Sequence, residues 1–358
     1  MRRIQSTISY ITTILLLILL LCSVTSCIDN EEYANNPRGN FEALWKIMDE
    51  HYCFFSQKGI DWQEVHQRYA KQFDTSMNEK QQFEVLTNML SELKDGHVNL
   101  YTSFNIGRYW AWRDNYPKNY SDSLERKYLK SDYLIASGLD YTVFDDNIGY
   151  IRCESFQNPI GAGNLDDILL HLQPCNGLII DVRNNGGGQL SNAEELAARF
   201  TNKEELVGYI QHKTGPGHND FSSLQPEYLT PGKGIRWQKP VVVLTNRSVF
   251  SAANEFVKYM KCCPNVHVVG DKTGGGAGLP FSSELPNGWS VRFSACPMYD
   301  RDKQMTEFGI ATDYRVDITE SDLIKGKDTI IEFARQLLAK QLNQSFNRPK
   351  GELEGLVL

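Results

Sequence analysis

Between residues 41 and 93 apolar side chains recur every three or four positions. Phe41, Leu44, Trp45, Met48 and Tyr52 make one stripe, and Trp62, Val65, Tyr69 and Phe73 a second, behind Asp61 as a cap. Phe83, Leu86, Leu90 and Leu93 make a third. This spacing predicts three amphipathic helices, hence a small helical domain over residues 41–96. From about Val98 the texture changes. "HVNLY" and "IGYIRCESF" (Ile148–Phe156) have strand character. "GLIIDVR" (Gly177–Arg183) and "PVVVLTN" (Pro240–Asn246) are continuous apolar runs of the kind buried on both faces of a sheet. "VHVVGD" (Val266–Asp271) is a further strand, and "WSVRFSA" (Trp289–Ala295) alternates like a half-exposed one. Helices are expected at Asn192–Phe200, Ser251–Lys261 and Asp328–Leu342. Strand, turn and helix alternate, which predicts a mixed α/β or α+β core over residues 97–342. The polar residues 343–358 read as a tail.

The N-terminus carries a different pattern. Arg2 and Arg3 precede the apolar stretch Ile11–Cys22, twelve residues, where a bilayer span needs about 20. This is the apolar region of an export signal. "VTSC" (Val24–Cys27) follows and resembles a bacterial lipobox, in which the cysteine is acylated. Residues 1–26 are thus expected to be a lipoprotein signal peptide, Cys27 the lipid attachment site and residues 27–40 a tether. The expected location is the bacterial cell envelope, anchored to a membrane through Cys27. A plain signal peptide cut near Ser26 is the alternative.

The chain has 358 residues and a formal net charge of −7. An acidic chain without a basic cluster argues against nucleic acid as a partner. Beyond Cys22 and Cys27 six cysteines remain, with no C-x-x-C pair and no metal-finger spacing. Disulfides or buried free thiols are both open. No metal and no cofactor is implied.

Three places carry candidate chemistry. Ser251 opens a helix behind a buried strand. A helix start offers free N–H groups to a developing oxyanion, but serine there is also a favoured cap. "NNGGG" (Asn184–Gly188) ends another buried strand and reads as a substrate clamp, an oxyanion loop or a tight turn. His97 follows Gly96 in "LKDGHVNLY" at a helix-to-strand junction.

These pieces, in this order, resemble the tail-specific (C-terminal processing) and tricorn-core family of serine peptidases. "LKDGHVNL" is similar to that family's D-G-H segment, and "GLIIDVRNNGGGQL" to its strand and paired glycines. "PVVVLTNRSVFSAANEF" is similar to its nucleophile strand and helix, and "VHVVGDKTGGGAGLP" to its following strand. The resemblance implies a crotonase-like (ClpP-like) β-β-α core and hydrolysis of peptide or protein substrates. It makes Ser251 the nucleophile and the N–H groups of Gly187 and Ala252 the oxyanion hole. Tail-specific members place a lysine base where Gly276 stands, and Lys272 lies four positions early. Tricorn-type members use the D-G-H histidine, here His97, supported by a late glutamate. Glu307 in "MTEFGIATDYRV" is the candidate, with a solvated surface acid as the bland reading. Only 50 residues (98–147) separate His97 from Ile148, too few for a PDZ module. The aromatic stretch Ile106–Tyr120 reads as a groove lining or as packing, and His212–Gly234 as a long loop or hairpin near the site. A binding protein on the same scaffold is the alternative function. An esterase or penicillin-binding enzyme is set aside, since neither G-x-S-x-G nor S-x-x-K surrounds Ser251.

Overall fold

The computed structural model describes residues 33–346, with side chains to residue 342. The expected signal peptide, Cys27 and the end of the tail lie outside the described residues.

The helical stripes near the N-terminus fold as four helices, Pro37–His51, Phe55–Lys58, Trp62–Ala70 and Glu79–Ser91. The first starts earlier than its apolar stripe. Asn36 accepts from the Gly39 N–H and Pro37 occupies the first helical turn, where a missing N–H costs nothing. Asp61 caps the third by accepting from Glu64 N–H, as its position predicts. Asn78 and Gln81 form a capping box at the fourth.

Strands β1 (Asn99–Tyr101), β2 (Ile106–Arg108), β3 (Leu134–Ala136), β4 (Leu139–Val143), β5 (Ile148–Cys153) and β6 (Gly177–Asp181) come next. They are followed by β7 (Glu205–Ile210), β8 (Gln225–Leu229), β9 (Val241–Thr245) and β10 (Val266–Gly270). β11 (Gly278–Glu284), β12 (Ser290–Asp300) and β13 (Tyr314–Arg315) complete the set. One sheet has the order β13-β10-β9-β6-β5-β4-β3, and the other runs β2-β1-β12-β7-β8 with β11 also on β12.

The apolar runs are central strands for a visible reason. On β6 and β9, Leu178, Ile180, Val241 and Val243 face one core with the helices Ala162–Leu172, Leu190–Ala197 and Ala252–Cys262. Ile179, Val242 and Leu244 face the other, against Ile330, Ala334 and Leu338 of the helix Thr329–Phe346. Both faces are covered, so the two strands are apolar up to their last residues, Asp181 and Thr245. That last helix runs four residues past the predicted Leu342, into the expected tail.

The N-terminal helices pack on the second sheet. Phe41, Met48, Phe83 and Leu86 share one apolar cluster with Trp289, Val291 and Phe293 of the β12 region. A single core therefore crosses residue 96. The segment His212–Gly234 forms a hairpin: β8 within it pairs antiparallel with β7, and His218 reaches Asp49 of the first helix at 2.8 Å. All six described cysteines are free thiols.

Candidate active site

Asp181 ends β6, and its carboxylate is buried with Arg183, which also pairs with Asp328 at 2.8 Å. This fully buried pair pins the chain where it leaves the strand. Asn185 then bonds the Cys153 carbonyl through Nδ2 at 3.1 Å and accepts the Phe250 N–H on its own carbonyl at 3.0 Å. Asn246, just past β9, accepts from the Asn184 N–H through Oδ1 at 3.0 Å. The two loops, from different strands, are thus sewn to each other. A third loop joins them: Ser251 N–H donates to the Gly275 carbonyl at 2.9 Å.

Ser251 sits at φ 57°, ψ −126°, immediately before the helix Ala252–Cys262. Its side chain makes no cap hydrogen bond. A non-glycine residue in this region is strained, and such strain persists only where surroundings enforce it. The cap reading of Ser251 is therefore not met. Its Oγ instead lies 2.8 Å from His97 Nε2, across 154 positions of chain.

His97 is held from behind by Asp95, whose Oδ1 accepts the His97 N–H at 2.8 Å. Asp95 Oδ2 also accepts from Tyr52 Oη at 2.9 Å and Ser294 Oγ at 3.0 Å. Burial drives the His97 pKa down to about 4, opposed by Asp95, while Arg292 and Lys58 push it the same way as burial. The imidazole is therefore neutral at neutral pH and free to take a proton.

Glu307 differs from both readings of the sequence. It is buried, 7% exposed, so it is not a surface acid. It makes no hydrogen bond to the imidazole: His97 Nδ1 is buried without a partner among the described residues. The carboxylate instead meets Lys58 Nζ at 3.0 Å and the Ala277 N–H at 2.9 Å. Lys58 also pairs with Asp95 at 3.2 Å, so one ammonium bridges two buried carboxylates. Burial and the Asp95 charge push the Glu307 pKa up to about 7, against the pull of Lys58. Asp95 goes the other way. Burial would raise it, but Lys58 and His97 outweigh that and hold it below the usual carboxylate range. Two acids sharing one cation separate in this manner.

Gly187 stands beside Ser251 with its N–H already engaged. It lies against Ser251, since an added Cβ would come 2.9 Å from Ser251 Cβ and from Ala252 N. Its N–H, however, donates to Asn185 Oδ1 at 2.8 Å. The Ala252 N–H has no acceptor among the described residues.

Gly276 explains why no lysine stands there. It has φ +78°, and an added Cβ would lie 2.4 Å from the Phe250 ring. That ring fills the space, stacked on Trp112 at 4.6 Å and against His97 at 4.7 Å. Gly96 of the D-G-H segment makes room for the same ring, its added Cβ falling 2.8 Å from Phe250. Among the described residues Lys272 makes no hydrogen bond or ion pair with Ser251 or His97; its backbone N–H donates to Asp271 Oδ1. The Ile106–Tyr120 stretch lines a cavity of about 1170 Å³ that opens onto His97 and Ser251. A smaller one, about 320 Å³, reaches the same pair from the side of Leu279, Pro280, Met298 and the buried Glu255.

Sequence reasoning overlooked Lys58 and Arg292. Asp95 stood inside the quoted D-G-H segment and was the one residue whose part the motif could have signalled. Nothing local marks Lys58, because its partners are 37 and 249 positions away (95 − 58; 307 − 58).

Known proteins match this chain in sequence and fold. The model of peptidase family S41 matches residues 147–316, and that of the tricorn protease C1 domain residues 33–91. A putative peptidase from Parabacteroides merdae ATCC 43184 is 53% identical; the match covers 85% of this chain and 97% of that one, with a TM-score of 0.81. Mature CPAF, complexed with lactacystin, shares the fold at 12% identity and TM-score 0.65, over 88% of this chain and 99% of that one. The carboxy-terminal processing protease CtpA of Bacillus subtilis (strain 168) is 27% identical over 168 residues, 46% of this chain. That match takes in 34% of CtpA, so the chain spans about a third of this curated relative. With the family model on the core, the tricorn-type model on the helices and a peptidase half identical along nearly its whole length, the chain belongs to peptidase family S41.

Proposed function

We propose that the protein is a serine peptidase in which Ser251 attacks the peptide carbonyl and His97 takes its proton. The observation that carries this is the 2.8 Å hydrogen bond between His97 Nε2 and Ser251 Oγ, with the serine on a strained backbone at a helix start. It favours catalysis over a binding protein, because a ligand site gains nothing from a strained serine aimed at a neutral imidazole. The proton passes from Oγ to Nε2 as the Oγ–carbonyl bond forms. The resulting imidazolium is stabilised by the buried Asp95 carboxylate and then protonates the leaving amine. Water, deprotonated by the same histidine, hydrolyses the acyl-enzyme.

The Ala252 N–H is one oxyanion donor, worth about 3 kcal/mol of barrier. Gly187 serves as the second by exchanging Asn185 Oδ1 for the oxyanion. Glu307 acts through Lys58 and Asp95 and not by touching the imidazole. Ser251→Ala is expected to abolish both peptide cleavage and labelling by a fluorophosphonate probe. Unchanged turnover in that variant would falsify the assignment.

We further propose that Cys27 carries a lipid, on the strength of residues 11–27 alone. Metabolic labelling with palmitate should mark the wild type and spare Cys27→Ser; equal labelling of both would remove the anchor.

A further inference from the structure

We infer that the large cavity beside Ser251 selects substrate segments rich in aspartate and glutamate, through a set of cationic side chains that have no acidic partner among the described residues. The inference rests on the peptidase reading and names its substrate class. Arg108, Arg113, Lys118, Arg247 and Arg292 all line this cavity, against two acids, Asp114 and Asp122. Among the described residues none of the five cations makes a salt bridge; Arg108, Arg113 and Lys118 are exposed and Arg247 and Arg292 half-buried. A basic cleft in a chain of net charge −7 is therefore a local feature with its own cause. Like charges gathered without counter-charges repel one another, and an incoming anion relieves that repulsion.

The cations are also held in place. Arg108 and Arg113 both lie over the Trp110 ring, at 5.0 and 4.5 Å from its centroid. Arg247 donates to the Trp112 carbonyl at 2.8 and 3.0 Å and stacks on Tyr116 at 4.3 Å. Guanidinium groups stacked on rings lose little freedom when they grip a carboxylate by two parallel N–H bonds. Trp110 and Tyr116, more than two-fifths exposed, supply apolar walls between the charges. Arg292 lines both cavities that meet at Ser251.

The test uses three fluorescein-labelled peptides of equal length, rich in Glu, Gln or Lys, each with a free or an amidated C-terminus. Binding to the Ser251→Ala protein is read by anisotropy, and cleavage by the wild type is read in parallel. The Glu peptide should bind roughly tenfold tighter than the Gln peptide and the Lys peptide weakest, with the preference fading as salt rises. Arg108→Gln together with Arg113→Gln should narrow the Glu-to-Gln ratio several-fold. If only the free C-terminus matters, the recognised carboxylate is terminal and the side-chain inference falls. Equal binding of Glu and Gln peptides overturns it outright. Charge-selective binding without cleavage or probe labelling upholds this inference and sinks the catalytic reading instead.

Discussion

At the scale of single residues, burial decides what His97 can do. Its folded pKa of about 4 lies below the 6.5 of a free imidazole. Between those values the unfolded chain binds a proton that the folded one refuses. Stability from this group is therefore full above pH 6.5 and is lost as pH falls towards 4. Catalysis inherits the same depression. The acid limb of kcat/KM should fall near pH 4; a limb at 6.5 would contradict the buried imidazole. Glu307 works in the opposite sense. Its folded value of about 7 lies above the usual 4.5, so its contribution is present at low pH and fades as pH rises through 7. A shallow inflection near pH 7, present in the wild type and missing in Glu307→Gln, is the expected signature in the same profile.

At the scale of elements, loops rather than strands make the site. Three loops, after β6, β9 and β10, are joined by Asn184–Asn246, Phe250–Asn185 and Ser251–Gly275 contacts. Phe250 is the filler between them, and Gly96, Gly274 and Gly276 are small because of that ring and its neighbour Trp112. Gly276→Ala puts a Cβ into Phe250 at a positive φ. It is expected to cost about 2 kcal/mol in urea unfolding and to suppress probe labelling of Ser251 well beyond the fraction unfolded. Labelling that follows the folded fraction alone would mean Phe250 does not position the serine. The elements themselves were unevenly legible. β6 and β9 announced themselves because both faces are apolar. β11 did not: "GLPFSSE" holds a proline and three polar residues and is a strand only because β12 pairs with it, with a register shift at Leu279/Pro280.

At the scale of the whole molecule, Lys58 ties the N-terminal helices to the site. Its side chain is buried with Asp95 and Glu307 as partners. Removing it leaves two carboxylates sharing an apolar pocket. Lys58→Met should lose about 3–5 kcal/mol in urea unfolding. Adding Glu307→Gln to that variant should recover part of the loss, since one of the two stranded acids is gone. Strict additivity of the two changes would show that the ammonium does not couple them. The apolar cluster shared by Phe41, Met48 and Phe83 with Trp289 and Phe293 supports the same union, and explains how a lysine 39 positions before the histidine (97 − 58) reaches it reliably.

What the amino-acid order determined by itself is local. Apolar periodicity placed the helices, continuous apolar runs placed the parallel strands, and Ser251, His97 and the paired glycines could be picked out by their motifs. What depended on the folded chain is every relation between distant segments. Burial, not sequence, left His97 neutral and raised Glu307; packing, not motif, put Lys58 between two acids and Phe250 where another side chain would have stood. Periodicity is written in neighbouring residues, whereas desolvation and ion pairing depend on groups that only the tertiary structure brings within a few ångströms.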